Sequence, residues 1–422
     1  MHQVQGANTD HSPSAAPWLP ADPGPLLPTL AAAHARIAAV HPDAYARTRN
    51  ALDGAVSGLS PYISHGFVTL AEVLANVNAR HALDIQHKFV YELGWRAFFR
   101  HVWQHRGAAI WDSLHEGPLP DHAYTPALPE DIRQGRTGVP VVDMAVHTLY
   151  TTGTLHNHAR MWLASYVVHL RKVHWRAGAD WLYAHLLDGD LASNHLSWQW
   201  VAGTGSSKPY LFNADNVARF APAPWHSPGS SIDTSYEALD LLARDPRAIA
   251  AAPHPGATPL ATTTEPHLLT APPSALGITQ ADAALVEGRA VWLVHPWSLG
   301  DLPVDLAPGT VVIGLYLSDF HRLWPWSEAR WRFVGTRMAQ LAPVCWHADA
   351  ATIGQALRGA SQVGFVAEPH LMPWLKPWVR GSQGPALFPA VGQPCTSFSQ
   401  WWSRSTRGIA NATELLALAK SP

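Results

Sequence analysis

Asp188-Gly-Asp-Leu-Ala-Ser-Asn-His-Leu-Ser-Trp-Gln-Trp-Val-Ala-Gly-Thr-Gly205 reads as a helix with an acidic head and a glycine-rich end. Two carboxylates flank Gly189 where the first helical N–H groups lack partners, and the helix dipole favours negative charge there. Capping accounts for the acids but not for Asn194, Trp198 and Trp200 downstream. Asn194 lies four residues after Asp190 on the same helix face, so both can meet one ligand. Trp198 and Trp200 point to different sides of the helix. One can face a buried cofactor while the other lines a cavity.

Outward from this stretch, apolar residues between Leu30 and about Phe220 recur at helical steps, as at Leu30, Ile37 and Val40. The spacing predicts helices over 67–79, 82–105, 140–152, 156–172, 178–187 and 190–200. Turns fall at 58–61, 136–138 and 203–205. Ser60 reads as a helix cap with Pro61 at the first position. Residues 221–275 are rich in Pro, Ala and Thr and read as linker, with one helix near 235–244. From Ala290 the runs AVWLVHP, TVVIGLYLSDF, PVCWHAD and QVGFVAEP are short and β-rich, with helical stretches at 328–341 and 351–359. That alternation predicts a small parallel α/β domain. No glycine-rich dinucleotide or P-loop motif comes after any of these strands. The expected fold class is multi-domain α and α/β: a lead-in over 1–28 read as disordered, an all-helical domain over 29–222, a linker over 223–285 and an α/β domain over 286–422.

Composition narrows the function. The 422 residues are 47% hydrophobic and 14% charged, as in soluble globular enzymes. No apolar run approaches the roughly 20 residues of a membrane span, and the N-terminus has no secretory pattern. Cys345 and Cys395 could form one bridge but no disulfide framework or metal cluster, so a reducing cytoplasm is the expected compartment. A net charge of −2 argues against a broad nucleic-acid-coating surface and leaves DNA contact to a local patch. The 20 tryptophans suit large cores, stacking or electron transfer.

Further segments share the order and spacing of one family. Ser57-Gly-Leu-Ser-Pro-Tyr-Ile-Ser-His-Gly66, Glu92-Leu-Gly-Trp-Arg-Ala-Phe-Phe99, Gly135-Arg-Thr-Gly-Val-Pro-Val-Val-Asp143, Gly153-Thr-Leu-His-Asn-His-Ala-Arg-Met161 and His174-Trp-Arg-Ala-Gly178 precede the acidic-headed helix. With it they resemble the FAD-binding domain of the photolyase/cryptochrome family, from residue 45 to about 213. The resemblance implies a folded FAD in the helical domain. Tyr45, Ser57, Gly58, Leu59 and Ser60 would serve its phosphates, with Val56 standing where the family usually has Thr. Arg96, Asp188, Gly189, Asp190 and Asn194 would hold the cofactor, and Arg160 would pair with Asp188. Asn194 falls beside flavin N5, where photolyases resemble this choice and several cryptochromes carry Asp or Cys.

The same resemblance implies light-driven repair of cyclobutane pyrimidine dimers in UV-damaged DNA. In the family an excited reduced flavin passes one electron to the dimer and takes it back. Glu92 would hydrogen-bond the damaged bases, Trp95 and Trp200 would stack on them, and Asn157 and Met161 would lie beneath them. Asn and Met there favour the cyclobutane-dimer branch over the (6-4) branch, which carries histidines. Trp198 and Trp175 match the first members of an electron-transfer chain; the third falls at His122, with Tyr124 two residues on. The α/β runs look like a reduced antenna domain placed after the helical domain instead of before it. A second, antenna chromophore has no named residue to hold it. His158 replaces a phosphate-contacting Arg, while Arg100, Lys208 and Arg219 could still reach phosphate. The alternative reading is a cryptochrome-like blue-light photoreceptor without repair activity. A third is a flavin-binding relic. Strandedness of the DNA and oligomeric state have no signature in the sequence.

Overall fold

The computed structural model describes residues 26–249, 263–376, 381–382, 384 and 386–419. Most of the lead-in and the middle of the linker lie outside these residues. The chain opens with α1 (Leu30–Ala38), α2 (Pro42–Thr48), α3 (Ser60–Ser64), α4 (Leu70–Asn78) and α5 (Lys88–Arg106). Local chemistry moves several starts away from the apolar spacing. A Thr69–Glu72 capping box begins α4 three residues later than predicted. The His87 ring, accepting from Phe89 N–H, begins α5 at 88 rather than 82. The expected Ser60 cap does not form: Leu59 already has helical backbone angles, so Ser60 lies inside α3 and Pro61 is its second residue.

Next come α6 (Glu130–Arg133), α7 (Pro140–Thr152), α8 (Asn157–Ser165), α9 (Trp175–His185) and α10 (Leu191–Ala202). The helix predicted over 156–172 is α8 followed by a π-helical turn over Tyr166–Leu170. Lys172, at φ 51°, ends it. Asp190 caps α10 by accepting from Ser193 N–H at 2.8 Å, and left-handed Gly203 closes the helix. α11 (Ala214–Phe220) and α12 (Tyr236–Arg244) come after it.

The later chain carries β1 (Leu268–Leu269), β2 (Ala290–Val294), β3 (Val311–Leu317), α13 (Ser318–Leu323), β4 (Trp326–Ser327) and α14 (Glu328–Leu341). It ends with β5 (Val344–Ala348), α15 (Ala350–Ala356), β6 (Gln362–Phe365), α16 (Met372–Leu375), α17 (Phe398–Ser405) and α18 (Ala412–Ala419). β1 and β4 form a short antiparallel pair. The other four strands form a parallel sheet in the order β5-β3-β2-β6, with Val291 opposite Val311 and Val363, and Ile313 opposite Val344. The chain starts in the middle, runs to one edge and returns to the other, so the topological switch lies between β2 and β6. Both cysteines are buried and free. No helix among the described residues is long and apolar enough to cross a membrane.

The apolar core divides along a different line from the composition. One cluster joins α1, α4, α5, Tyr183 and Leu191 to the sheet and to α17 and α18. The other holds Ile132 to Leu182, Trp198 and the residues on to Leu239. α5 is the seam. Gly94 lets α17 approach so closely that a Cβ there would meet the Trp402 ring at 2.4 Å. Trp402 also packs on Tyr91 and Phe398, at centroid distances of 4.9 and 5.6 Å. Trp402→Ala should therefore cost about 3–5 kcal/mol, read as a lowered denaturation midpoint; an unchanged midpoint would show that α17 does not hold α5.

Candidate functional site

A cavity of about 650 Å³ opens among α2, α3, α5, α8, α9 and α10. That volume suits a cofactor-sized ligand. Most sequence-expected cofactor residues meet on its wall: Tyr45, Ser57, Gly58, Ser60, Arg96, Arg160, Asp188, Gly189, Asp190 and Asn194. Leu59 sits behind, against a small side pocket. Gly58 has φ +60°, which a side chain rarely adopts, and a Cβ there would meet the Arg36 guanidinium.

The acidic head is built from paired charges. Arg160 donates to both Asp188 oxygens, at 2.9 and 2.8 Å. Arg100 donates to Asp190 at 2.5 Å, and Arg96 lies 3.9 Å from the same carboxylate. Burial opposes ionisation of Asp190, but the Arg100 and Arg96 guanidiniums overcome it and hold the carboxyl well below its usual range. Arg96 also donates to Ser64 Oγ at 2.8 Å, and Ser64 in turn donates to the Asp188 carbonyl at 2.9 Å.

Asn194 spends its amide N–H on the Ala179 carbonyl at 2.8 Å. That fixes the amide orientation and leaves its oxygen as an acceptor. Ser193 Oγ and Trp198 Nε1, on cavity-lining residues, are buried without a hydrogen-bond partner. Buried polar atoms are normally satisfied, so this wall fits a polar cofactor that bonds there.

The residues expected to meet a lesion divide. Glu92, Asn157 and Met161 line the same cavity. Asn157 Nδ2 points at Met161 Sδ, 3.6 Å away, which keeps the pair on one face of α8. Glu92 accepts from Arg49 at 3.3 Å, and burial raises its pKa against that attraction. Trp95 instead stacks on Phe398 at 4.1 Å with planes 14° apart. Trp200 is 38% exposed and leans on Tyr210.

Trp198 and Trp175 are both buried. Trp198 packs on Gly178, where a Cβ would meet its ring at 2.4 Å. Tyr124 reaches the Trp175 region through His174, at centroid distances of 6.4 and 5.6 Å.

The His that replaces a phosphate-contacting Arg and one of the expected phosphate contacts, Arg100, both take other partners. His158 is buried, 2.6 Å from the Asn50 carbonyl and stacked on Trp162. Arg100 is held by Asp190 and Glu368. Lys208 and Arg219 are exposed. Sequence reasoning missed Arg36 and Arg49 on the cavity wall, and missed Arg330 and Glu368 behind it. A lone Arg or Glu in a β-rich segment carries no signal of a partner more than 100 residues away.

Residues 89–223 match the family described as FAD binding domain of DNA photolyase. The deoxyribodipyrimidine photo-lyase of Streptomyces griseus is 37% identical over 155 residues, covering 36% of this chain and 33% of that protein. The Thermus thermophilus enzyme of the same name is 37% identical over 205 residues, 45% of this chain and 47% of that one. A Synechocystis cryptochrome structure shares 28% identity over 45% of this chain and 43% of its own, with a TM-score of 0.41. The chain thus spans less than half the length of these relatives. Most of the cavity wall lies within the stretch that matches this FAD-binding domain. Over that stretch the chain is similar to the photolyase/cryptochrome family.

Replacing Asp190 leaves Arg96 and Arg100 less compensated and removes the α10 cap. Asp190→Ala should cost about 3–5 kcal/mol. The carboxylate's folded pKa lies below its unfolded value, so its contribution is complete above the ordinary carboxylate range and is lost as pH falls. Denaturation midpoints followed from pH 7 to acid should fall for the wild type below about pH 4 and fall less for Asp190→Ala. Parallel curves would contradict the pairing.

Proposed function

We propose that the chain is a flavoprotein that repairs cyclobutane pyrimidine dimers in UV-damaged DNA under light. The observation that carries this reading is that Glu92, Asn157 and Met161 share one cavity with the acidic head. Bound FAD would supply a light-driven electron to the dimer and recover it afterwards. The chain's own residues would do the rest. Ser57, Ser60 and the Gly58 backbone would bind the phosphates. Asp190, Arg160 and Asn194 would orient the ring, with the Asn194 oxygen accepting from a ring N–H. Glu92 would bond the base edges, and the Asn157–Met161 pair would floor the lesion. Flipping out a damaged, poorly stacked pair lowers the unstacking cost. The name carried by the related photo-lyases supports the same reading.

In this proposal the α/β segment stands after the helical domain in the role of the family's antenna domain. The boundaries at 29–222 and 286–422 belong to the same proposal. Trp198, Trp175 and Tyr124 would carry electrons to the cavity, and Trp200, exposed beside Tyr210, would stack on a base.

A photoreceptor without repair is the second reading, and two placements favour it. Phe398 covers Trp95, and His158 is turned inward from the surface.

Purified protein should restore UV-irradiated oligothymidine under near-UV or blue light. Asn157→Ala and Trp200→Ala should each lower the repair rate about tenfold or more while retaining flavin. Fully reduced, flavin-loaded protein that repairs nothing would leave the photoreceptor reading.

A further inference from the structure

In an open α/β sheet the crevice at the topological switch is the usual ligand site. Here its residues turn toward the helices. His295, just past β2, bonds the Val366 carbonyl, just past β6, at 2.8 Å. Trp297 stacks on His370 at 4.4 Å with planes 12° apart. His370 Nδ1 lies 2.5 Å from Glu368, and Glu368 accepts from Arg100 at 2.5 Å. Arg100 in turn holds Asp190 on the cavity wall.

A second tie comes from α14. Arg330 is fully buried and donates to the Tyr183 carbonyl at 3.2 Å and the Gly189 carbonyl at 2.5 Å. Its guanidinium lies 4.0 Å over the Trp326 ring and 4.7 Å over Tyr183. A Cβ on Gly189 would sit 2.5 Å from Arg330 Nη1, so the glycine between the two acids admits this guanidinium.

We infer that Glu368 and Arg330 are positioning residues for the flavin site, and that the α/β segment sets the charge seen by the cofactor through the chain Glu368–Arg100–Asp190. The inference rests on the flavin reading above. Around the acidic head, Arg96, Arg100, Arg160 and Arg330 face Asp188, Asp190 and Glu368: four cations against three anions. Glu368 is the one anion of the set supplied by the α/β segment. Removing its charge leaves Arg100 less compensated and makes the cavity wall more positive. A more positive wall favours the reduced, electron-rich cofactor.

The test measures the ratio of reduced to oxidised FAD at fixed potential in wild type, Glu368→Gln and Glu368→Asp, with the thermal midpoint recorded beside it. Glu368→Gln keeps the shape of the side chain. It should load FAD and shift the ratio toward reduced by about tenfold, or about 30 mV for a two-electron couple. Glu368→Asp keeps the charge but draws it back from Arg100, and should shift the ratio the same way by a smaller factor, about twofold to threefold. Packing support alone would lower the midpoint and leave the ratio unmoved, which would overturn the inference. Should Glu368→Gln not fold, Glu368→Asp must still shift the ratio measurably in the same direction, because its shorter side chain draws the charge from Arg100; no shift overturns the inference. Wild type that takes up no FAD would sink the flavin reading as well. Wild type that loads FAD beside an indifferent Glu368→Gln would sink only the coupling.

Discussion

Asp190 is a buried carboxylate kept ionised by guanidiniums, and the site is arranged around that fact. An isolated charge in this position would be expelled or neutralised. Arg100 and Arg96 from α5 compensate it, so α5 must lie against the start of α10. Arg160 does the same for Asp188 from α8. Three helices are thereby fixed about one helix end. The space they leave between them is the cavity.

The same constraint explains why the α/β segment shares a core with the first helices. Arg100 has two carboxylate partners, one in the helical region and one beyond β6. Arg330 reaches the head from the other side through backbone carbonyls. His65 bridges the two parts as well, 2.9 Å from the Leu187 carbonyl and 2.6 Å from that of Pro296; burial pushes its pKa down to about 3. These are largely buried polar contacts, where misplacement is costly.

Much of the local architecture was legible in the sequence. The helix over 140–152 and that over 328–341 fall where apolar spacing puts them. The four parallel strands lie within the four β-rich runs. Asp190 and Asn194 share the cavity because an i, i+4 relation is a property of the helix itself. What stayed hidden was long-range. Helix starts set by Thr69 and His87 are side-chain events that periodicity does not register. The Trp95–Phe398 stack joins residues about 300 apart, and α17 itself had no place in the sequence reading. From sequence Arg100 reads as a cation able to reach phosphate, because its partners, Asp190 and Glu368, become neighbours only in the fold.

If this cavity holds a flavin dinucleotide through its acidic, guanidinium-compensated helix head, the absorption spectrum of the purified chain, before and after illumination with a reductant, will show it. Bound-flavin bands should be present, bleach on photoreduction and return in air. A colourless protein that takes up no FAD when supplied with it would rule out a flavin site.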